Sequence, residues 1–404
     1  RTYNIRGRLP SNIILQVKNM IYLDNGATSF PKPDCMLKAM AQCIKYYCGN
    51  PGRSGHSLSI MTGEKVFETR NVLAEFIGAG GRGERIIFTA NTTQALNIAI
   101  KGVLQKGDHV VTTAMEHNSV LRPVKAMESA GVSCSIVKAR RDGSIRAGAV
   151  REAVNEDTRL VVVTAASNVT GAVMPICAIG NIIEKLNAER KKKIIFLVDG
   201  AQAVGSIYVN VSDMKADMIA FPGHKGLLGP QGTGVLYVKD GICLKPLLEG
   251  GTGTASRDIT QPREFPDGYE AGTVNAAGIA GLCASTEYID RIGIGNIEDY
   301  ERRLIRAFDE ELRNMNKVTV YGPENCEFKT ALTSFNIEGR SCEEVASVLN
   351  DDFGIAVRAG FHCAGLAHKT IGTWNTGAVR VSAGPFNTVK DMRKAAEAVW
   401  KLAR

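Results

Sequence analysis

"KIIFLVDGAQAVG", residues 193–205, decides the fold. Its apolar residues run without a polar break from Ile194 to Val198 and stop at Asp199. A strand with one solvated face alternates apolar and polar residues. An unbroken run belongs to a strand buried on both faces, the condition of inner strands in a mostly parallel sheet. The same texture recurs on either side, in ERIIFTA (84–90), HVVTTA (109–114), CSIVKA (134–139), RLVVVTAAS (159–167), ADMIAFPG (216–223) and GVLYVK (234–239). Helical patterns fall between them at TTQALNIAIKGVL (92–104), SVLRPVKAMESAG (119–131) and AIGNIIEKLNAERK (178–191). Strands alternating with helices predict an α/β unit with helices on both faces of the sheet.

Beyond 240 the texture changes. The Gly-rich EGGTGTASRD (249–258) and EAGTVNAAG (270–278) lead into a helical stretch over 276–315, interrupted at RIGIGN (291–296). VTVYG (318–322), ALTSFNIEG (331–339) and AVRAG (356–360) read as strands, SCEEVASVLNDDFG (341–354) and DMRKAAEAVWKLAR (391–404) as helices. This predicts a smaller C-terminal α+β unit with antiparallel strands. The expected division is an extension at 1–19, a large domain at 20–275 and a small domain at 276–404.

A chain of 404 residues is long enough for two domains. With 44% hydrophobic and 22% charged residues it fits neither a disordered nor a fibrous class. The net charge of +8 suggests nucleic acid, but Arg1, Arg6, Arg8 and Lys18 stand in the first nineteen residues with no acid among them. Removing those four from +8 leaves +4, which makes no case for a nucleic-acid partner. Met20 opens IYLDNG, so residues 1–19 read as a peripheral arm or an expression remnant. No segment carries a signal-peptide core or the roughly 18 apolar residues of a membrane helix, and the expected location is the cytoplasm. The ten cysteines, at 35, 43, 48, 134, 177, 243, 283, 326, 342 and 363, show no CxxC and no paired Cys/His spacing. That pattern is neither a disulfide framework nor a zinc site, and most read as apolar fillers.

In open parallel sheets ligands bind at the carboxyl ends of the strands, so the residues just after each strand are the candidates. They include Thr92 and Thr93, Glu116, His117 and Asn118, Asn168, Asp199 and Gln202, and His224 with Lys225. Thr92 and Thr93 open a helix, where free N–H groups hold a phosphate or the threonines merely cap. Asp199 is a half-buried carboxylate that needs a cation, in a site or in a structural ion pair. His117 reads as an acid or base, an imidazole stacked on a flat ligand, or a packed side chain. Lys225, in FPGHKGLLGPQG (221–232), is a phosphate clamp, a solvated loop residue or a buried amine for carbonyl chemistry. GHKG lacks the GxxxxGK[ST] order of a nucleotide-binding loop. An amine, a carboxylate, a flat imidazole and a phosphate-ready helix start are together the set a pyridoxal phosphate enzyme needs.

With these residues in view, the chain from 20 to 404 resembles the class V aminotransferase family of fold type I pyridoxal phosphate enzymes. Within that family it is most similar to the cysteine desulfurases and selenocysteine lyases. The matching stretches are YLDNGATSFPKP (22–33), FTANTTQALN (88–97), MEHNSV (115–120), ASNVTGAVMPI (166–176), VDGAQAVG (198–205), GHKGLLGPQGTGVLYV (223–238), EAGTVNAAG (270–278) and RAGFHCA (358–364). The resemblance implies a large domain with a mostly parallel seven-stranded sheet and pyridoxal 5′-phosphate as cofactor. It implies that Lys225 is the Schiff-base lysine, that Asp199 partners the pyridine nitrogen and that His117 stacks on the ring. Gln202 would contact the phenolic oxygen, Thr93 and His224 would hold the phosphate, and Asn168 would lie near ring and substrate. Thr273 would reach the neighbouring subunit's phosphate, which implies a homodimer.

Arg380, in GAVRVSAGPFNT (377–388), matches the arginine that clamps the substrate carboxylate, as a planar guanidinium suits. Cys363 in RAGFHCA resembles the nucleophile of the second desulfurase group, with His362 beside it at the substrate. The expectation is that His362 and Arg358 favour the Cys363 thiolate, which takes sulfur from L-cysteine as a persulfide and leaves L-alanine. L-selenocysteine as substrate, or an aminotransferase or epimerase reaction, are the alternatives, and a sulfur-acceptor protein is a possible partner. Two departures stand out. Pro222 replaces a usual Ser or Thr, which removes a phosphate contact that Thr92 or water would supply. The sequence after Cys363, GLAHKTIGTWNTGAVR (365–380), also differs. The glycines around Lys225 are expected to let the chain turn closely past a ring cofactor.

Overall fold

The computed structural model describes residues 20–52, 55–254 and 256–404, so the reading of 1–19 lies outside the described residues. A short strand β1 (Ile21–Tyr22) precedes two helices, α1 (Asp34–Gln42) and α2 (Ser57–Phe76). The sheet follows as β2 (Ile86–Thr89), α3 (Thr92–Val103), β3 (His109–Thr113), α4 (Asn118–Glu128), β4 (Ser133–Val137), α5 (Ala147–Ala153), β5 (Thr158–Thr164), α6 (Ile176–Glu189), β6 (Ile195–Asp199), β7 (Met218–Pro222) and β8 (Gly234–Val238). These seven strands stand in the order β2-β8-β7-β6-β5-β3-β4. Only β8 runs antiparallel to its neighbours, so the sheet is mostly parallel, as expected.

The unbroken apolar runs have a direct cause. Ile195 and Leu197 of β6 pack with Leu160 and Val162 on one side of the sheet. Phe196 and Val198 pack with Val161 and Val163 on the other. Each such side chain contributes roughly 1.5–3 kcal/mol on full burial, and neither face leaves room for a polar residue. The chain turns polar only where the strands end, at Thr164, Asp199 and the residues after them.

The C-terminal part comprises α7 (Ala276–Ile292), α8 (Ile294–Arg313), β9 (Val318–Tyr321), β10 (Leu332–Ile337), α9 (Cys342–Asp351), β11 (Ile355–Ala356), β12 (Arg358–Gly360), α10 (Gly365–Ile371), β13 (Ala378–Ser382) and α11 (Val389–Leu402). Its antiparallel sheet has the order β12-β13-β10-β9, and β1 pairs in parallel with β11. The helical break falls at Gly293, whose φ of 89° an L side chain resists. Ile279, Leu282, Ile289 and Ile297 pack into a core of the large sheet. Leu304, Ile305, Phe308 and Leu312 pack into the core of the small one, where Leu23 joins them from the chain's other end. Helix α8 thus reaches both cores. Helices α1, α2, α5 and α10 and strand β13 were not anticipated; β13 is a five-residue buried strand, too short to show a period. Among the described residues no helix is long and apolar enough to cross a membrane.

Candidate active site

At the carboxyl ends of β3, β5, β6 and β7 the two units enclose a cavity of about 270 Å³. Thr92, Thr93, His117, Asn168, Asp199, Gln202, His224, Lys225, His362, Cys363 and Arg380 all line it. Thr273 does not; it faces a second cavity with Phe67, Arg70 and Glu270.

Lys225 follows β7 on a turn that the N-terminal segment grips. The His224 carbonyl accepts from Ser29 N–H at 3.0 Å, Ser29 Oγ at 3.1 Å, Thr28 Oγ1 at 3.2 Å and Lys32 Nζ at 2.9 Å. Four donors on one carbonyl fix the peptide that presents Lys225. The glycines here also serve a contact within the chain. A Cβ on Gly226 would lie 2.5 Å from the Val204 carbonyl oxygen, and one on Gly205, at φ 88°, would strike Gly226 itself. They let two backbone loops touch each other. Burial, with Arg380 adding its positive charge, brings the Lys225 amine down to about 8, against the pull of Asp199. A fraction of the amine is therefore free near neutral pH.

Asp199 closes β6 with 2% exposure, and one of its oxygens accepts the Ala201 N–H at 3.0 Å. Burial raises its pKa, opposed by that bond and by Lys225. Beside it lies Glu116, fully buried, whose Oε1 accepts from Thr113 Oγ1 at 2.6 Å and from Thr164 N–H at 3.1 Å. Its Oε2 has no partner, and burial lifts this carboxyl to about 8. Burial thus raises both neighbouring carboxyls, and a proton held on Glu116 spares Asp199 a like charge.

His117 is the N-cap of α4, its Nδ1 accepting Ser119 N–H at 3.0 Å. Ser119 Oγ lies 2.8 Å from both His117 Nδ1 and Thr93 Oγ1. Burial and then Lys225 push His117 to about 4, so the imidazole is neutral, with the proton left on Nε2. His224 is likewise held near 4 by burial and Lys225, and its Nδ1 is buried without a partner. Helix α3 is capped by Asn91, which accepts Gln94 N–H at 2.9 Å. That leaves the first-turn N–H groups at Thr92 and Thr93 pointed at the cavity's edge, a ready anion site. Pro222 pairs with Gly234 in the sheet and lies outside the cavity lining, whereas Thr92 lies within it.

The C-terminal unit supplies the other wall. Arg358 and Arg380 sit directly opposite each other on β12 and β13, two like charges that call for anions between them. Arg380 is 1% exposed; Nη2 donates to Asp24 at 2.8 Å and Nη1 to the Asn168 carbonyl at 3.1 Å. Its Nε is buried and unpartnered, a vacancy for an acceptor. Cys363 is exposed to the cavity. His362 does not behave as a cationic neighbour. Burial, then Arg380 and His368, depress it to about 2, and Nε2 lies 3.1 Å from the Ala378 carbonyl. A neutral, inward-tied imidazole lends no charge to Cys363; the cationic side chains that line the cavity with it are Arg358, Arg380 and Lys225.

Sequence reasoning passed over Asp24, Thr28, Ser29, Lys32 and Ser119 as contributors to the site, and weighed Glu116 without giving it a role. The crowding of hydroxyls and charges in YLDNGATSFPKP was the available signal.

This geometry has known counterparts. A probable cysteine desulfurase of Methanothermobacter thermautotrophicus is 37% identical over 411 aligned residues, spanning 100% of this chain and 98% of that one. A probable cysteine desulfurase of Pyrococcus abyssi is 35% identical, spanning 95% of both. The solved apo cysteine desulfurase of Thermococcus onnurineus superposes with a TM-score of 0.88 at 33% identity, over 98% of each chain. The pattern of the family described as aminotransferase class-V matches residues 21–394. On this evidence the chain belongs to the class-V aminotransferase family.

Proposed function

We propose that this protein is a pyridoxal 5′-phosphate-dependent cysteine desulfurase, converting L-cysteine to L-alanine with the sulfur taken by Cys363 as a persulfide. The observation that carries the reading is that one cavity joins Lys225, Asp199, Arg380 and the exposed thiol of Cys363. The names of the relatives support it.

The residues suit the cofactor. The amine of Lys225 would meet its carbonyl, the Asp199 carboxylate its pyridine nitrogen, and the α3 N–H groups with His224, whose Nδ1 is buried and unpartnered, would hold its phosphate. His117 would cover the ring and Gln202 would meet its phenolic oxygen. When bound, pyridoxal phosphate supplies an electron sink for the bonds at the substrate's Cα and Cβ. Arg380 binds the cysteine carboxylate through Nε, with Asp24 and Asn168 holding the guanidinium plane. Lys225 Nζ accepts the α-proton, a task suited to an amine brought down to about 8. The Cys363 thiolate then attacks the substrate sulfur. An S–S bond forms, the Cβ–S bond breaks, and Cβ keeps the electron pair and takes a proton to become the methyl group of alanine.

The functional unit in this reading is a homodimer. Leu37, Ile44, Tyr46, Ile60, Met61 and Phe67 are apolar and 46–64% exposed along α1, the turn after it and α2. Phe67 shares its cavity with Thr273, so a second copy seated on this strip would receive Thr273 near its own site. The persulfide passes to an acceptor thiol, of a sulfur-acceptor protein or a small molecule. None of the ten cysteines is disulfide-bonded, which fits the reducing cytoplasm.

The test is alanine formation by the Cys363→Ala holoenzyme. Loss of activity on cysteine, with visible cofactor absorbance retained, is expected. Undiminished alanine from cysteine would overturn the persulfide step, and activity on selenocysteine alone would replace the reading with that of a selenocysteine lyase.

A further inference from the structure

The loop that presents the thiol is held in a conformation its residues resist. His362 and Cys363, at φ 49° and 58°, are the only adjacent non-glycine residues with positive φ among the described residues. In that region an L side chain crowds the following carbonyl, and the conformation persists only where the surroundings impose it. The Ala364 N–H donates to the Phe361 carbonyl at 2.9 Å and closes the turn over the pair, and three further hydrogen bonds tie the pair to neighbouring elements. Asn118 N–H donates to the Cys363 carbonyl at 2.8 Å, His362 Nε2 meets the Ala378 carbonyl at 3.1 Å, and Asn168 Nδ2 donates to the His362 carbonyl at 2.7 Å.

Asn168 differs from the other two because its backbone also holds the arginine that lines the same cavity. Its own carbonyl accepts Arg380 Nη1 at 3.1 Å. It is 7% exposed and sits in a turn braced by Ser167 Oγ, which accepts from Val169 N–H at 3.2 Å and Thr170 N–H at 3.1 Å. One rigid residue therefore fixes both the group that would hold the substrate carboxylate and the loop that carries the thiol.

We propose that Asn168 is a positioning residue that sets the separation between the Arg380 guanidinium and the Cys363 sulfur. This rests on the reading of Cys363 as the sulfur nucleophile. The two halves of Asn168 are separable by mutation. Asn168→Ala keeps the backbone carbonyl on Arg380 and removes only the loop clamp. Asn168→Asp keeps the shape as well, but sets an acceptor against the His362 carbonyl. Misplacing a reacting atom by about 1 Å costs on the order of 100-fold in rate.

The experiment compares wild-type, Asn168→Ala, Asn168→Asp and Cys363→Ala holoenzymes. With cysteine, both Asn168 variants should lose at least tenfold in kcat while KM stays within twofold. A second readout needs neither cofactor nor turnover. Asn118 opens α4, so its N–H has no helical partner and is protected by the Cys363 carbonyl. Hydrogen exchange at that amide should quicken at least tenfold in both variants of the cofactor-free protein. A rise in KM that accounts for the whole loss, an undiminished kcat, or unchanged Asn118 exchange would each overturn the proposal. If the wild type makes no alanine from cysteine, the desulfurase reading fails, and Asn118 exchange still decides the clamp. If Cys363→Ala is inactive and Asn168→Ala is not impaired, the clamp alone fails.

Discussion

Replacing Glu116 by glutamine should stabilise this protein, and by an amount that depends on pH. Glu116 is fully buried, with Oε1 satisfied by Thr113 and Thr164 and Oε2 without a partner. Burial lifts its carboxyl from an ordinary 4.5 to about 8, and the nearby charge of Asp199 pushes the same way. Below pH 4.5 the group is protonated in the folded and unfolded chain alike, so its contribution is intact. As pH rises, the unfolded chain releases this proton and the folded one does not, so stability falls until the folded group itself titrates. The span of about 3.5 pH decades, at 1.36 kcal/mol each, makes the loss about 5 kcal/mol at most.

Glutamine keeps the shape and the acceptor for Thr113 and Thr164 but has no proton to lose. Urea unfolding of both cofactor-free proteins between about pH 5 and pH 9 should show a gap that favours Glu116→Gln. It should widen by about 1.4 kcal/mol per pH unit and level off near pH 8. Asp199 titrates in both proteins and cancels to first order. Parallel stability curves would refute the reasoning, since they would mean that Glu116 ionises in the fold as readily as in water.

Two further substitutions test the scaffold. Gly205→Ala places a Cβ against Gly226 at a φ of 88°, and should cost roughly 3 kcal/mol or more while displacing the Lys225 turn, read as weaker uptake of pyridoxal phosphate in an absorbance titration. In the small core Lys329 Nζ donates to Asp309 at 2.7 Å and to Thr333 at 2.6 Å, all buried. Lys329→Met strands the Asp309 charge and should lower unfolding stability by about 3–5 kcal/mol, whereas the double change with Asp309→Leu should recover most of that loss.

Much of this was legible in the chain itself, because burial on both faces leaves a local trace. The unbroken runs of β5, β6 and β7 announced the central sheet, and the polar residues at their ends announced where a ligand would sit. The order of Lys225, Asp199, His117 and Arg380 named a chemistry before any coordinate. Other features had no local trace. The charge states of Glu116 and His362 depend on what surrounds them, and a lone His-Cys pair does not say that its imidazole is neutral and tied inward to Ala378. Nor does a Gly-rich turn say whether it accommodates a ligand or another loop; the Gly205–Gly226 approach is a contact between segments about twenty residues apart. The sequence by itself determined the sheet and the polar residues at its strand ends, since these follow from period and residue type, while Arg380 and Cys363 came with the family resemblance. Only the tertiary structure decided that Asp24, Asn168 and Arg380, scattered from one end of the chain to the other, are joined by hydrogen bonds beside the cavity that Cys363 lines, because that is set by which distant segments pack together.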